Sequence, residues 1–162
     1  MTIRPIGIIH TRFRQSQGTP IQSSVAGGSE GIVELMPEFA TGLRDLAGFD
    51  RVWLLYLFHR SQDAQLMVRP YLDSQERGVF ATRSPARPNG IGMSAVRLLA
   101  VEDNLLRVAD VDMLDGTPLL DIKPYVPAFD HFPVTRIGWY EGKSPMGVVA
   151  DGRFEAESKE HS

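Results

Sequence analysis

The sequence contains no cysteine, which removes disulfide frameworks, thiolate metal sites and cysteine nucleophiles together. Long apolar runs are missing as well. No stretch approaches the roughly 20 residues of a membrane span, and the apolar part of the opening MTIRPIGIIH is far too short for a secretory signal. The expectation is a cytoplasmic protein with no membrane partner. The four histidines, His10, His59, His131 and His161, show no metal-ligand spacing, so no metal is expected. Basic charge is in deficit: 17 Lys and Arg stand against 20 Asp and Glu, a formal net charge of −3, with a pI near 5.8. That balance argues against a protein that coats nucleic acid through bulk electrostatics.

What is present is ordinary globular material, 43% hydrophobic and 23% charged over 162 residues, enough for one domain with a real core. The charge is unevenly placed. Residues 77–97 hold Arg77, Arg83, Arg87 and Arg97 with no acid, whereas residues 101–121 hold Glu102, Asp103, Asp110, Asp112, Asp115 and Asp121 against Arg107 alone. If the two segments are neighbours in space, one pocket could offer a basic rim and carboxylates together.

Several runs read as strands: RPIGIIHTRF, GIVEL, RVWLLYLFH, GVFATR, MSAVRLLAVE, LLRVADVDML and LLDIKPYV, separated by turn signals such as SPARPNG, EDN and DGTP. RVWLLYLFH is apolar on both faces, which predicts a central strand covered twice. PEFATGLRDLAGF predicts one short helix, opened by Pro37 and closed at Gly48, with Phe39, Leu43, Leu46 and Ala47 at helical spacing. Seven or so strands with little helix predict a mainly β fold, a closed or folded-over antiparallel sheet. The loop between Gln15 and Glu30 is long and without structure of its own, GKSPMGVVADGRF is a possible late hairpin, and EAESKEHS is a polar tail expected to be mobile.

Two apparent motifs fail on context. Gly90, Gly92 and Ala95 spell G-x-G-x-x-A with Asp110 downstream, but SPARPN intervenes where a strand should feed the turn, and the residues after it read as a strand. DVDMLDG has its third acid one place too late for a calcium loop. The stretch ATRSPARPNGIGMS makes better sense as a pre-shaped loop. Pro85 and Pro88 fix φ and bias Ser84 and Arg87 toward extended backbone, so little entropy remains to be lost on ligand binding. Asn89-Gly90 is a strong turn signal, and Gly92 would let backbone approach a ligand closely. On that frame Arg83 and Arg87 can take a carboxylate or phosphate or stack on a base.

The segments GFDRVWLLYLFHR, RGVFATRSPARPNGIGMSAVRLL and DVDMLDGTPLLDIKPYVPAFD, in this order and spacing, resemble the TsaA-like family typified by the tRNA methyltransferase TrmO. The likeness covers nearly all of residues 3–140. It implies a small single-sheet β-barrel, usually a homodimer, that uses S-adenosylmethionine to methylate N6 of threonylcarbamoyladenosine next to the anticodon of tRNA. It implies a domain over residues 1–140, with 141–162 as a short extension and polar tail; the longer extension that helps bacterial members engage tRNA is not expected here.

The cofactor contacts implied by the resemblance fall in four segments: Pro20, Ile21 and Gln22; His59 and Arg60; Arg83 and Met93; and Met113, Leu114, Asp115 and Gly116. Arg83 or Arg60 would face a ligand carboxylate, Asp115 an amino group or hydroxyl, and Met93 and Leu114 the adenine. In DIKPY, Asp121 or a relay through Tyr125 is a candidate proton acceptor and Lys123 a counter-charge for the threonyl carboxylate. Gly90 stands where the family usually has a second proline. The competing readings are a methyltransferase for a small molecule or protein, and a non-catalytic module that binds S-adenosylmethionine or RNA.

Overall fold

The computed structural model describes residues 2–156. Six strands close into an antiparallel barrel: β1 (Gly7–Thr11), β2 (Glu30–Leu35), β3 (Arg51–Leu57), β6 (Ile91–Glu102), β7 (Leu105–Ala109) and β8 (Thr117–Pro124). Around the barrel the order is β1-β2-β7-β6-β3-β8. Closure pairs both sides of every strand and leaves no sheet edge to aggregate. Two two-residue strands, β4 (Met67–Val68) and β5 (Arg77–Gly78), form a separate ribbon.

Period-two alternation sets which side chains fill the barrel. Ile9, Val33, Val52, Leu54, Val96, Leu106, Val108 and Leu119 are fully buried, and each large aliphatic contributes about 1.5–3 kcal/mol by leaving water. β6 is long enough to serve two neighbours: Ile91–Arg97 pairs with β3 and Arg97–Glu102 with β7, with a bulge between Leu98 and Ala100 where it changes partner. The turn to β7 is tight, with Asp103 at φ 53.

Four local expectations are corrected. PEFATGLRDLAGF is not an α-helix but two 3-10 segments, Pro37–Leu43 and Leu46–Gly48, broken by Asp45 at φ 67. Leu43 alone of them is buried and Phe39 is 40% exposed, so no surface exists to reward a longer amphipathic helix. Among the described residues the one α-helix is the single turn α1 (Pro127–Asp130). GVFATR follows β5 as a 3-10 turn, Val79–Ala81. β3 is packed on one face rather than two: Val52, Leu54 and Tyr56 point into the barrel, while Leu57 on the opposite face is 38% exposed. The segment GKSPMGVVADGRF makes turns instead of a hairpin, helped by Gly147 (φ 74) and Gly152 (φ 85). It bridges Val149 to Pro20, and Glu155 beyond it to Ser61. Phe154 is buried with Val68, Val79 and Ala86 in a second small core. Of the polar stretch EAESKEHS, all but Glu155 and Ala156 lies outside the described residues.

Candidate functional site

The antiparallel order brings the end of β3 and the starts of β6 and β8 to one end of the barrel, and there a cavity of about 650 Å³ opens, within the range of small-molecule sites. Six segments wall it: the loop between β1 and β2, residues 58–61 after β3, residues 70–72, residues 82–87 before β6, the connection from β7 to β8, and the C-terminal segment from Ile137 to Glu155.

The proline-rich loop is braced by more than its prolines. Thr82 Oγ1 donates to the Val79 carbonyl (2.9 Å) and accepts the Ser84 N–H (3.2 Å). Arg87 Nη1 donates to the carbonyls of Thr82 (2.9 Å) and Ser84 (3.2 Å). Ala86 is buried in the second core. Arg83 Nη1 reaches across to Gln22 Oε1 at 2.8 Å, tying this loop to the one after β1. Both guanidiniums therefore have neutral partners, which leaves their positive charge for a ligand. Arg60 differs, because it pairs with Glu155 and donates to the Arg14 carbonyl.

Behind the lining residues Tyr56 and Asp112, Ser94 Oγ donates to Asp112 Oδ1 at 2.6 Å and lies 3.1 Å from the Tyr56 hydroxyl. Burial pushes the Asp112 carboxyl up to about 6, partly opposed by the Ser94 hydrogen bond and by Arg83. Burial and the Asp112 charge push the Tyr56 phenol far above its ordinary range, so it stays protonated. His59 is shifted down by burial and by neighbouring Arg60; its Nδ1 lies 3.4 Å from Thr117 Oγ1. Beside this chain Ser84 Oγ is buried with no hydrogen-bond partner among the described residues. The space above Gly92 belongs to the protein: a Cβ there would come 2.6 Å from Tyr56 Cζ and 2.9 Å from Phe58 Cζ, so this glycine admits an aromatic ring.

The sequence model of the tRNA-methyltransferase O N-terminal domain matches residues 8–131. The chain belongs to this family. It is 56% identical to the probable S-adenosyl-L-methionine-binding protein of Pyrococcus abyssi, over 93% of this chain and 83% of that protein. It is 36% identical to the human tRNA (adenine(37)-N6)-methyltransferase, over 78% of this chain and 30% of the human protein. The crystal structure of TrmO from Pseudomonas aeruginosa superposes with a TM-score of 0.73 at 41% identity, covering 85% of this chain and 61% of that one. The chain thus spans most of the Pyrococcus protein and less than two thirds of the other two.

Within this TrmO-family barrel, nine of the residues expected to hold cofactor line the cavity: Pro20, Ile21, Gln22, His59, Arg60, Arg83, Met93, Met113 and Leu114. Met93 does so from the rim, since it is 49% exposed between the inward-facing Gly92 and Ser94. Asp115 and Gly116 form the turn beside the cavity. Asp115 Oδ1 accepts the Thr11 N–H (3.0 Å), its other oxygen meets Arg14, and Gly116 sits at φ 76 with its N–H on the Ile9 carbonyl (3.0 Å). Asp121, Lys123 and Tyr125 are not among the lining residues. Lys123 Nζ is 2.8 Å from Asp121 Oδ2, Asp121 Oδ1 accepts the Ile122 N–H, and the Tyr125 ring packs on Trp53 at 5.7 Å. Asp110 is taken up by Arg51 (3.0 Å) and Arg97 (2.9 Å). The residues missed are Tyr56, Ser94, Asp112, Trp139 and Tyr140. Asp112 had a signal, its place among the acids of residues 101–121; the aromatic pair had none.

Proposed function

We propose that the chain binds S-adenosylmethionine in this cavity and methylates N6 of threonylcarbamoyladenosine next to the anticodon of tRNA. The observation that carries this reading is one cavity in which an anion-receptive guanidinium, Arg83, and a proton-accepting carboxylate, Asp112, stand among apolar walls. A cofactor with a carboxylate, hydroxyls and a purine calls for a cationic donor, free polar groups and apolar surface. Arg83, the Ser84 Oγ that has no partner among the described residues, and Ile21, Met113 and Leu114 meet those needs. The names borne by the Pyrococcus and human relatives support the same cofactor and acceptor.

When bound, the cofactor supplies an electrophilic methyl carbon whose bond to sulfur breaks as its bond to the acceptor nitrogen forms. The chain aligns the acceptor, excludes water and takes the proton that leaves N6. Asp112, with raised proton affinity and a fixed Ser94 hydrogen bond, suits the last task. Asp121, with Tyr125, is a second proton acceptor, and Lys123 a counter-charge for the threonyl carboxylate, for a substrate that extends onto the outer face of β8. That face continues into an apolar stripe of Leu57, Ile91 and Met93, 38%, 39% and 49% exposed, which supports a homodimer. A tRNA acceptor is in keeping with a cytoplasmic protein.

The test is calorimetric titration of S-adenosylmethionine into the protein and into Arg83→Ala. Saturable binding that the variant weakens at least about 10-fold, the loss of one charge-assisted contact, supports the reading. No binding by the native chain would overturn it. Binding without methyl transfer to threonylcarbamoylated tRNA would favour the non-catalytic module, and transfer only to a small molecule or protein the other alternative.

A further inference from the structure

Residues 132–156 follow the stretch that matches the family, yet they close one side of the cavity. At their centre Trp139 and Tyr140 stack with ring centroids 3.9 Å apart and planes at 27°. The indole is fixed on three sides. Its Nε1 donates to the Ala81 carbonyl at 2.8 Å, Tyr140 covers one face, and the Arg77 guanidinium lies 5.6 Å from its centroid. Arg77 is itself anchored by Asp73, through Nε at 3.0 Å and Nη2 at 2.6 Å, and Asp73 also faces Lys143 Nζ at 3.8 Å. The result is a stack of indole and phenol with an anchored guanidinium over the indole. Tyr140 ends it and lines the cavity beside Arg83 and Arg87.

A stack of flat groups that ends on a half-buried phenol in a cavity is shaped to continue with another flat ring. The neighbouring cations narrow its chemistry. Arg83 and Arg87 are two anion-receptive guanidiniums, one more than the cofactor's single carboxylate uses. The nine cavity-lining residues that the family resemblance assigns to the cofactor all come from other segments of the wall. We infer that Tyr140, backed by Trp139 and Arg77, is the stacking platform of an acceptor subsite. Its ligand is a purine nucleoside bearing a carboxylate, with the acid group toward Arg87. The inference rests on the methyltransferase reading and names the wall on which its acceptor sits.

The experiment uses the whole chain saturated with S-adenosylhomocysteine, which has no methyl group to transfer, and titrates threonylcarbamoyladenosine nucleoside by calorimetry. The variants are Tyr140→Phe, Tyr140→Ala and Tyr140→Leu, the last as a second truncation in case the alanine variant fails to fold. The native chain and Tyr140→Phe are expected to bind the nucleoside alike. The two truncations should bind it roughly 10-fold or more weakly while holding S-adenosylhomocysteine within about twofold of native. A methyl ester of the nucleoside, which removes the negative charge without touching the protein, should also bind roughly 10-fold more weakly. Unchanged nucleoside affinity in the truncations overturns the inference. So does a loss confined to S-adenosylhomocysteine, which would give the platform to the cofactor's own purine. A native chain that binds S-adenosylhomocysteine but no nucleoside sinks the subsite and leaves the cofactor site standing; one that binds neither removes both.

Discussion

At the scale of single residues, Asp112 carries the most consequence. Its carboxyl is pushed up to about 6 by burial, above the ordinary value near 4. Between those two pH values the folded chain binds more protons at this group than the unfolded chain does, so stability falls as pH rises through the window. The full effect is at most about 3 kcal/mol. Asp112→Asn cannot ionise and still offers Ser94 an acceptor oxygen. Its melting temperature should match the native protein near pH 4 and exceed it increasingly up to pH 7. If Asp112 takes the acceptor proton, the same variant should lose about 100-fold or more in methyl transfer. Parallel melting curves across that range, or undiminished transfer, would each strike out the corresponding role. Gly92 belongs to the same scale. Its missing side chain makes room for Tyr56, the residue that meets Ser94 and so steadies Asp112 from behind.

Among the elements, the proline-rich loop shows how chemistry and stiffness are combined. Its bends were legible from Pro85, Pro88 and Asn89-Gly90, because those residues restrict their own backbone. That Arg87 braces two loop carbonyls and that Ala86 is a core residue were not legible, since both depend on what the loop meets. Gly90 joins the barrel through its carbonyl, which accepts the Phe58 N–H at 2.7 Å. Its φ is not left-handed, and a Cβ there would make only ordinary contacts, 3.7 Å to Phe58. Gly90→Pro should therefore stabilise the protein by about 0.4–1 kcal/mol through the unfolded state, raising the melting temperature by about 1–4 °C with cofactor affinity kept. A lower melting temperature would show that the loop needs the freedom of glycine. The opposite lesson comes from PEFATGLRDLAGF, where helical spacing was real but lacked a partner surface, and the chain settled into 3-10 turns.

For the whole molecule, closure of six strands explains why all the loops that build the cavity meet at one end: in an antiparallel barrel every second connection returns there. The C-terminal segment completes the wall by crossing that end, where Glu155 accepts from the Ser16 N–H (2.8 Å) and pairs with Arg60. Closure also leaves an outer face whose apolar side chains Leu57, Ile91 and Met93 stand outside the barrel core, the last two at the cavity rim. Light scattering should give a particle of twice the 18.0 kDa chain mass. Leu57→Glu, an outward change, should halve that mass while leaving the melting temperature of the barrel little altered. A native particle of single-chain mass would end the dimer reading.

Taken alone, the sequence determined the class of fold, the stiffness of the loop before β6 and the family. These follow from period-two patterning, from residues that restrict their own φ, and from motifs long enough to be specific. Tertiary structure decided which charges are spent and which are free. Arg60, Asp110 and Asp115 are matched by partners far along the chain, while Arg83, Arg87 and Asp112 are left facing the cavity. It also brought Trp139 and Tyr140 to the mouth of a barrel whose last strand ends at Pro124. The reason is physical: a side chain's own preferences act over a few residues, but its hydrogen-bond partner and its exposure are properties of the closed barrel.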